Sequence, residues 1–174
     1  MKSRCTFTRV ETIINTIMLG AIACLLHYSY DFSGKKLFVG VLNPVNESIW
    51  EHLKLMFFPF LLWWLVMYYI KNERCDASLS TWIVSAEISL VIAPLSVALL
   101  YYTYTGALGI ESVFIDILLT FICYFIALCV ASHFLRYSEP NNFSTIASLI
   151  IIAIIFMSFI IFTINPPNLP IFHD

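Results

Sequence analysis

The chain has 174 residues, of which 60% are hydrophobic and only 11% charged, and its mean hydropathy is +0.88. A soluble domain carries about a quarter charged residues, so this stock cannot clothe a water-facing surface. The net charge of -2 supplies none of the clustered Lys and Arg that a nucleic-acid partner demands, which excludes that class and leaves the lipid bilayer as the partner the composition specifies.

Spans of about 20 residues each consume the chain after about five crossings, so the expected fold class is all-α, a polytopic transmembrane helix bundle in a single domain, residues 1–174. The first span is read from Thr12 to Tyr30. Lys2, Arg4 and Arg9 precede it and Ala21-Ile22-Ala23-Cys24 loosely resembles a cleavage site, yet the apolar run continues through Leu25 and Leu26, so the segment is expected to be retained. The second span runs from Ser48 to Ile70 and stops before Lys71-Asn72-Glu73-Arg74. The third covers Leu79 to Tyr102, followed by a turn from Thr103 to Glu111 with Gly106 and Gly109. Ser112 to Leu135 forms the fourth, and Phe143 to Ile164 the fifth, stopped by Asn165-Pro166-Pro167. Trp63-Trp64, Tyr68-Tyr69 and Tyr101-Tyr102-Tyr104 are read as interfacial rings near span ends. Pro59 and Pro94 fall inside spans, where each removes a backbone hydrogen bond.

Lys and Arg in short loops stay on the cytoplasmic side. With the N-terminus inside, Lys2, Arg4, Arg9, Lys71, Arg74 and Arg136 lie inside against Lys35, Lys36 and Lys54 outside. Six to three favours that orientation, and an odd span count then puts the C-terminus outside. The five cysteines are odd in number and form no CxxC pair, and three sit in apolar runs, so neither a disulfide framework nor a thiol metal site is expected.

The polar stretch Asn43 to Lys54 stands out at the mouth of the second span. It reads as a helix start, with Asn43 as cap, Pro44 at the first helical position and Glu47 in the first turn. Asn43, Glu47, Glu51 and Lys54 then share one face, with Ser48 and His52 on the adjoining one. As a plain interfacial cap it would carry Glu51 and Lys54 as an i,i+3 pair of a few tenths of a kcal/mol. A span entry needs only one cap, however, and polar groups at membrane depth mark functional sites. Glu47, Glu51 and His52 are therefore the candidate catalytic groups. Asn43, Asn46, Ser48, Trp50 and Lys54 are candidate ligand contacts, joined by Glu87 about 10 Å into the third span. His27, His52 and Glu51, with Glu47, are the ligand types of a site for zinc or a similar divalent metal, and a free carboxylate would act as general base. The spacing is not that of HExxH, which needs two histidines one turn apart.

The run Asn43-Pro44-Val45-Asn46-Glu47-Ser48-Ile49-Trp50-Glu51-His52-Leu53-Lys54-Leu55, followed by Phe57-Phe58-Pro59, resembles the signature of a family of small multi-pass membrane proteins of Gram-positive bacteria, whose function is uncharacterised. Ser33-Gly34, Ser85-Ala86-Glu87 and the tail Pro166 to Phe172 extend the likeness over most of the chain. The resemblance implies a multi-pass protein of the bacterial cytoplasmic membrane and imports no mechanism. The residues themselves admit three classes. The leading one is an outward-facing site for a small polar ligand, lipid headgroup or cation. The others are a membrane-embedded metal-dependent hydrolase, and a small transporter or accessory subunit in which Glu87 and His133 form a relay or the polar stretch fixes an unknown protein partner.

Overall fold

In a computed structural model, which describes residues 5–173, the chain is a bundle of helices with no strand among the described residues. Five helices are long and apolar enough to cross a membrane: α1 (Arg9–His27), α4 (Ile49–Lys71), α5 (Leu79–Leu108), α6 (Val113–Tyr137) and α7 (Asn142–Ile164). Two short helices, α2 (Ser29–Phe32) and α3 (Leu37–Leu42), fill the connection between α1 and α4. The protein is thus an all-helical, multi-pass bundle of the kind that the composition implies.

Side-chain caps explain most of the starts. Thr8 Oγ1 accepts the Glu11 N–H while the Glu11 carboxylate accepts the Thr8 N–H, a reciprocal capping box at the head of α1. Ser48, Ser78 and Asn141 each accept an N–H three residues on, opening α4, α5 and α7. Two expectations are corrected. The helix of the polar stretch begins at Ile49 with Ser48 as its cap, whereas Asn43 ends α3 and Pro44 lies between the helices. The third span does not end at Tyr102: α5 runs through Gly106 and stops at Gly109, whose φ of 64° is the left-handed conformation that glycine adopts without a Cβ clash.

Lipid offers no hydrogen-bond partners, so buried polar groups must be satisfied inside the bundle. Trp63 and Trp64 are accordingly core residues and not interfacial ones. The Trp63 indole N–H donates to Asn15 Oδ1 at 3.1 Å and that of Trp64 to Ser89 Oγ at 2.6 Å. With Phe57, Phe60 and Tyr124 they form an aromatic centre between the spans. Gly20 lets α1 approach α6 closely, because a Cβ there would enter the Phe121 ring. Helix α7 keeps most of its apolar surface outward, as a lipid-facing span does.

The odd number of spans puts the N-terminal segment and the 72–78 connection on one face, and the α2–α3 segment and the C-terminal tail on the other. On the first face Cys5 and Cys75 are joined in a disulfide, contrary to the expectation of none. They are 70 residues apart, and only the return of α4 beside α1 makes them neighbours. Lys71 closes the same face, pairing with Glu11 at 2.6 Å. Protein isolated without reductant should therefore take three maleimide–polyethylene glycol tags after denaturation, at Cys24, Cys123 and Cys129, and five after reduction. Five tags without reductant would contradict the bond.

Candidate metal site and membrane-face cavity

The opposite face is organised by a buried charge. The Lys54 ammonium is inaccessible to solvent, and the cost of burying a cation requires that its donors be satisfied. It donates to Glu51 Oε2 at 2.6 Å, to the Gly40 carbonyl at 2.7 Å and to the Asn43 carbonyl at 3.4 Å. Glu51, 3% exposed, in turn accepts the Val45 N–H at 3.0 Å and the Thr163 hydroxyl at 3.2 Å. Gly40 leaves room for this path, since a Cβ there would meet Val45 and Tyr30. One ion pair thus ties α3, the 43–48 loop and α7 to the first turns of α4.

The tail is fixed at the same end. Trp50 lies against Phe159, Phe162 and Phe172, with ring centroids 5.0, 5.4 and 4.8 Å away, so it serves as the seat of the 3-10 turn Pro170–Phe172. Asn46 Oδ1 accepts the Ser48 N–H at 3.1 Å, a local turn that aims the residue between them outward. That residue is Glu47.

Glu47 meets both histidines. Its Oε1 is 3.6 Å from His27 Nε2, and its Oε2 is 3.4 Å from His52 Nε2. The two imidazoles face each other with centroids 5.0 Å apart, and one donor atom from each of the three residues lies within 4.8 Å of the others. His52 Nδ1 is 2.8 Å from the Ser48 carbonyl. A carbonyl only accepts, so Nδ1 carries a proton and Nε2 is the ring nitrogen turned to the cluster, the outer-shell arrangement that orients metal-binding histidines. The carboxylate–imidazole separations exceed hydrogen-bond length and run to different oxygens, Oε1 toward His27 and Oε2 toward His52, so the carboxylate lies between the two imidazoles.

The three side chains line a cavity of about 360 Å³ between α1, α4, α5 and α6. Three protein donors beside a cavity differ from a closed structural site, because the fourth position remains open. Among the ionisable residues of the wall is Asp116, whose Oδ1 accepts the Tyr104 hydroxyl at 2.7 Å.

The residues singled out in the sequence are thus divided between two jobs. His27, Glu47 and His52 converge. Glu51 and Lys54 are buried together, and Asn43, Asn46, Ser48 and Trp50 hold the loop, the cap and the tail. Glu87 belongs to neither set, for its carboxyl meets the Ser148 hydroxyl of α7. His133, its imagined relay partner, is exposed and packs on Tyr137, so the two have different neighbours.

The whole chain, residues 1–174, matches the Family of unknown function (DUF6512). The chain belongs to this DUF6512 family. Neither the curated proteins nor the solved structures give a match, so the family assignment carries no activity with it.

Removing only one partner of the buried pair leaves an uncompensated charge. Lys54→Met in this DUF6512 protein should lower stability by about 3–5 kcal/mol in denaturant titrations of the detergent-solubilised protein, and Glu51→Leu added to it should restore most of the loss. Equal stability of the single variant and the wild type would show that the ion pair does not anchor the loop.

Proposed function

We propose that this chain binds a divalent cation of the zinc class, through His27, Glu47 and His52, at the outer face of a bacterial cytoplasmic membrane. The convergence of two imidazoles and one carboxylate, with one donor atom from each within 4.8 Å of the others, carries this reading. Borderline-soft zinc takes this mixture of nitrogen and oxygen donors, whereas calcium and magnesium require oxygen ligands. Of the two carboxylates that the sequence offered, Glu47 belongs to this set and Glu51 does not, because Glu51 is engaged by Lys54 and acts as a positioning residue.

The bacterial setting rests on the resemblance of Asn43 to Leu55 to the signature of small multi-pass proteins of Gram-positive bacteria. The outer placement rests on charge. Lys54 and Lys71 both lie in α4 and are held in ion pairs, so both leave the loop count, and the asymmetry becomes five to two in favour of a cytoplasmic N-terminal face. The Cys5–Cys75 bond pulls the other way, because disulfides are rare in the cytoplasm and those found there are commonly transient or redox-sensing. The orientation proposed here follows the charge asymmetry.

The test is zinc stoichiometry. Metal-stripped protein, dialysed against zinc and measured by mass spectrometry of the metal, should retain one ion per chain. Glu47→Ala and His52→Ala should fall to background, while Glu111→Ala, a change at an exposed carboxylate elsewhere on that face, should keep the ion. Equal zinc in all four proteins would remove the reading.

A further inference from the structure

The metal cluster has two unlike sides. On one, Glu47 opens to water, its side chain 73% exposed. On the other, the cavity descends along side chains that are mostly hydrocarbon, among them Ala23, Leu55, Met56, Val97 and Ile117. Its volume lies within the roughly 300–1,000 Å³ of small-molecule sites. Val113 and Ile117 of α6 line it and are 74% and 44% exposed, and Val113 is the first residue of that helix, so the cavity reaches the surface of the bundle beside the start of α6. An apolar chain leaving the bilayer would exchange one hydrocarbon environment for another, while the polar end of the same molecule came to rest at the imidazoles.

Resting on the cation-binding reading above, we infer that this cavity receives the acyl chain of a single-chain ester amphiphile and that the bound cation hydrolyses the ester. Three protein ligands leave the fourth position for water, and a zinc ion lowers the pKa of such a water to about 7. The water loses a proton to solvent at the exposed Glu47 edge, and its oxygen bonds to the ester carbonyl carbon. The tetrahedral adduct then collapses: the bond from carbon to the alcohol oxygen breaks, and that oxygen takes a proton from water. The products are a fatty carboxylate with its released proton and an alcohol, the sum of one ester and one water. No oxidant or reductant enters. The apolar wall holds the chain so that the carbonyl lies at the mouth, where positioning supplies much of the rate.

The experiment uses the full chain in lipid nanodiscs, zinc-loaded, with p-nitrophenyl octanoate and p-nitrophenyl acetate as probes. Zinc-dependent release is expected from the octanoate, with His52→Ala at background. Val97→Phe and Ile117→Phe fill the cavity without touching a donor atom. Each should keep its zinc and lose octanoate turnover by about tenfold or more, the scale on which pocket shape discriminates. Acetate turnover should change little. The inference is overturned if zinc-loaded wild type cleaves octanoate no faster than His52→Ala, or if both filled variants match the wild type while retaining zinc. Failure of the zinc stoichiometry itself would instead remove the cation reading, and the two failures are distinguished by the metal content of the same samples.

Discussion

A single ammonium group with nowhere to go organises the face of this protein that carries the His27, Glu47 and His52 cluster. Lys54 lies in the second turn of a membrane-crossing helix, where neither lipid nor water reaches it, and it is held by one carboxylate and two backbone carbonyls. Glu51 is drawn in with it and is satisfied from the loop and from α7. Desolvation makes such a pair expensive, and its contribution is better described as specificity than as net stability. It admits one path for the 40–48 backbone, and on that path Glu47 faces His27 and His52.

The two membrane faces are secured by different chemistry. At the N-terminal face, a disulfide and the Glu11–Lys71 pair join the chain entry to the far end of α4. At the other, the ion pair and the ring stack on Trp50 hold loop and tail. Between them, indole and phenol hydrogen bonds satisfy Trp63, Trp64 and Tyr124 of the aromatic centre. The cavity opens where this dense packing gives way to smaller side chains, at Ala23 of α1 and Val97 of α5.

The spans were legible because hydropathy over about 20 residues is a direct consequence of bilayer thickness. The helix starts were less so. Asn43-Pro44 has the chemistry of a helix entry, yet the chain uses Ser48, because the 43–45 backbone is needed to surround Lys54. From the sequence Glu51 and Lys54 were either an interfacial i,i+3 pair of little weight or parts of a site, and Glu47 and Glu51 were equivalent as metal ligands. Only burial separates them, and burial depends on where α3 and α7 dock. Trp63-Trp64 looked interfacial for the same reason, since adjacency in sequence does not reveal the hydroxyl of Ser89 or the amide of Asn15 waiting on other helices. Cys5 and Cys75 carried no local signal, being brought together by tertiary structure alone.

The central claim is that His27, Glu47 and His52 form one coordination sphere, and X-ray absorption at the zinc edge of the loaded protein tests it most directly. The account predicts a shell of nitrogen and oxygen at about 2.0–2.2 Å, with the outer scattering of two imidazoles and no sulfur. A sulfur shell at about 2.3 Å, drawing in the nearby Cys24 thiol, or a shell without imidazole scattering, would contradict it.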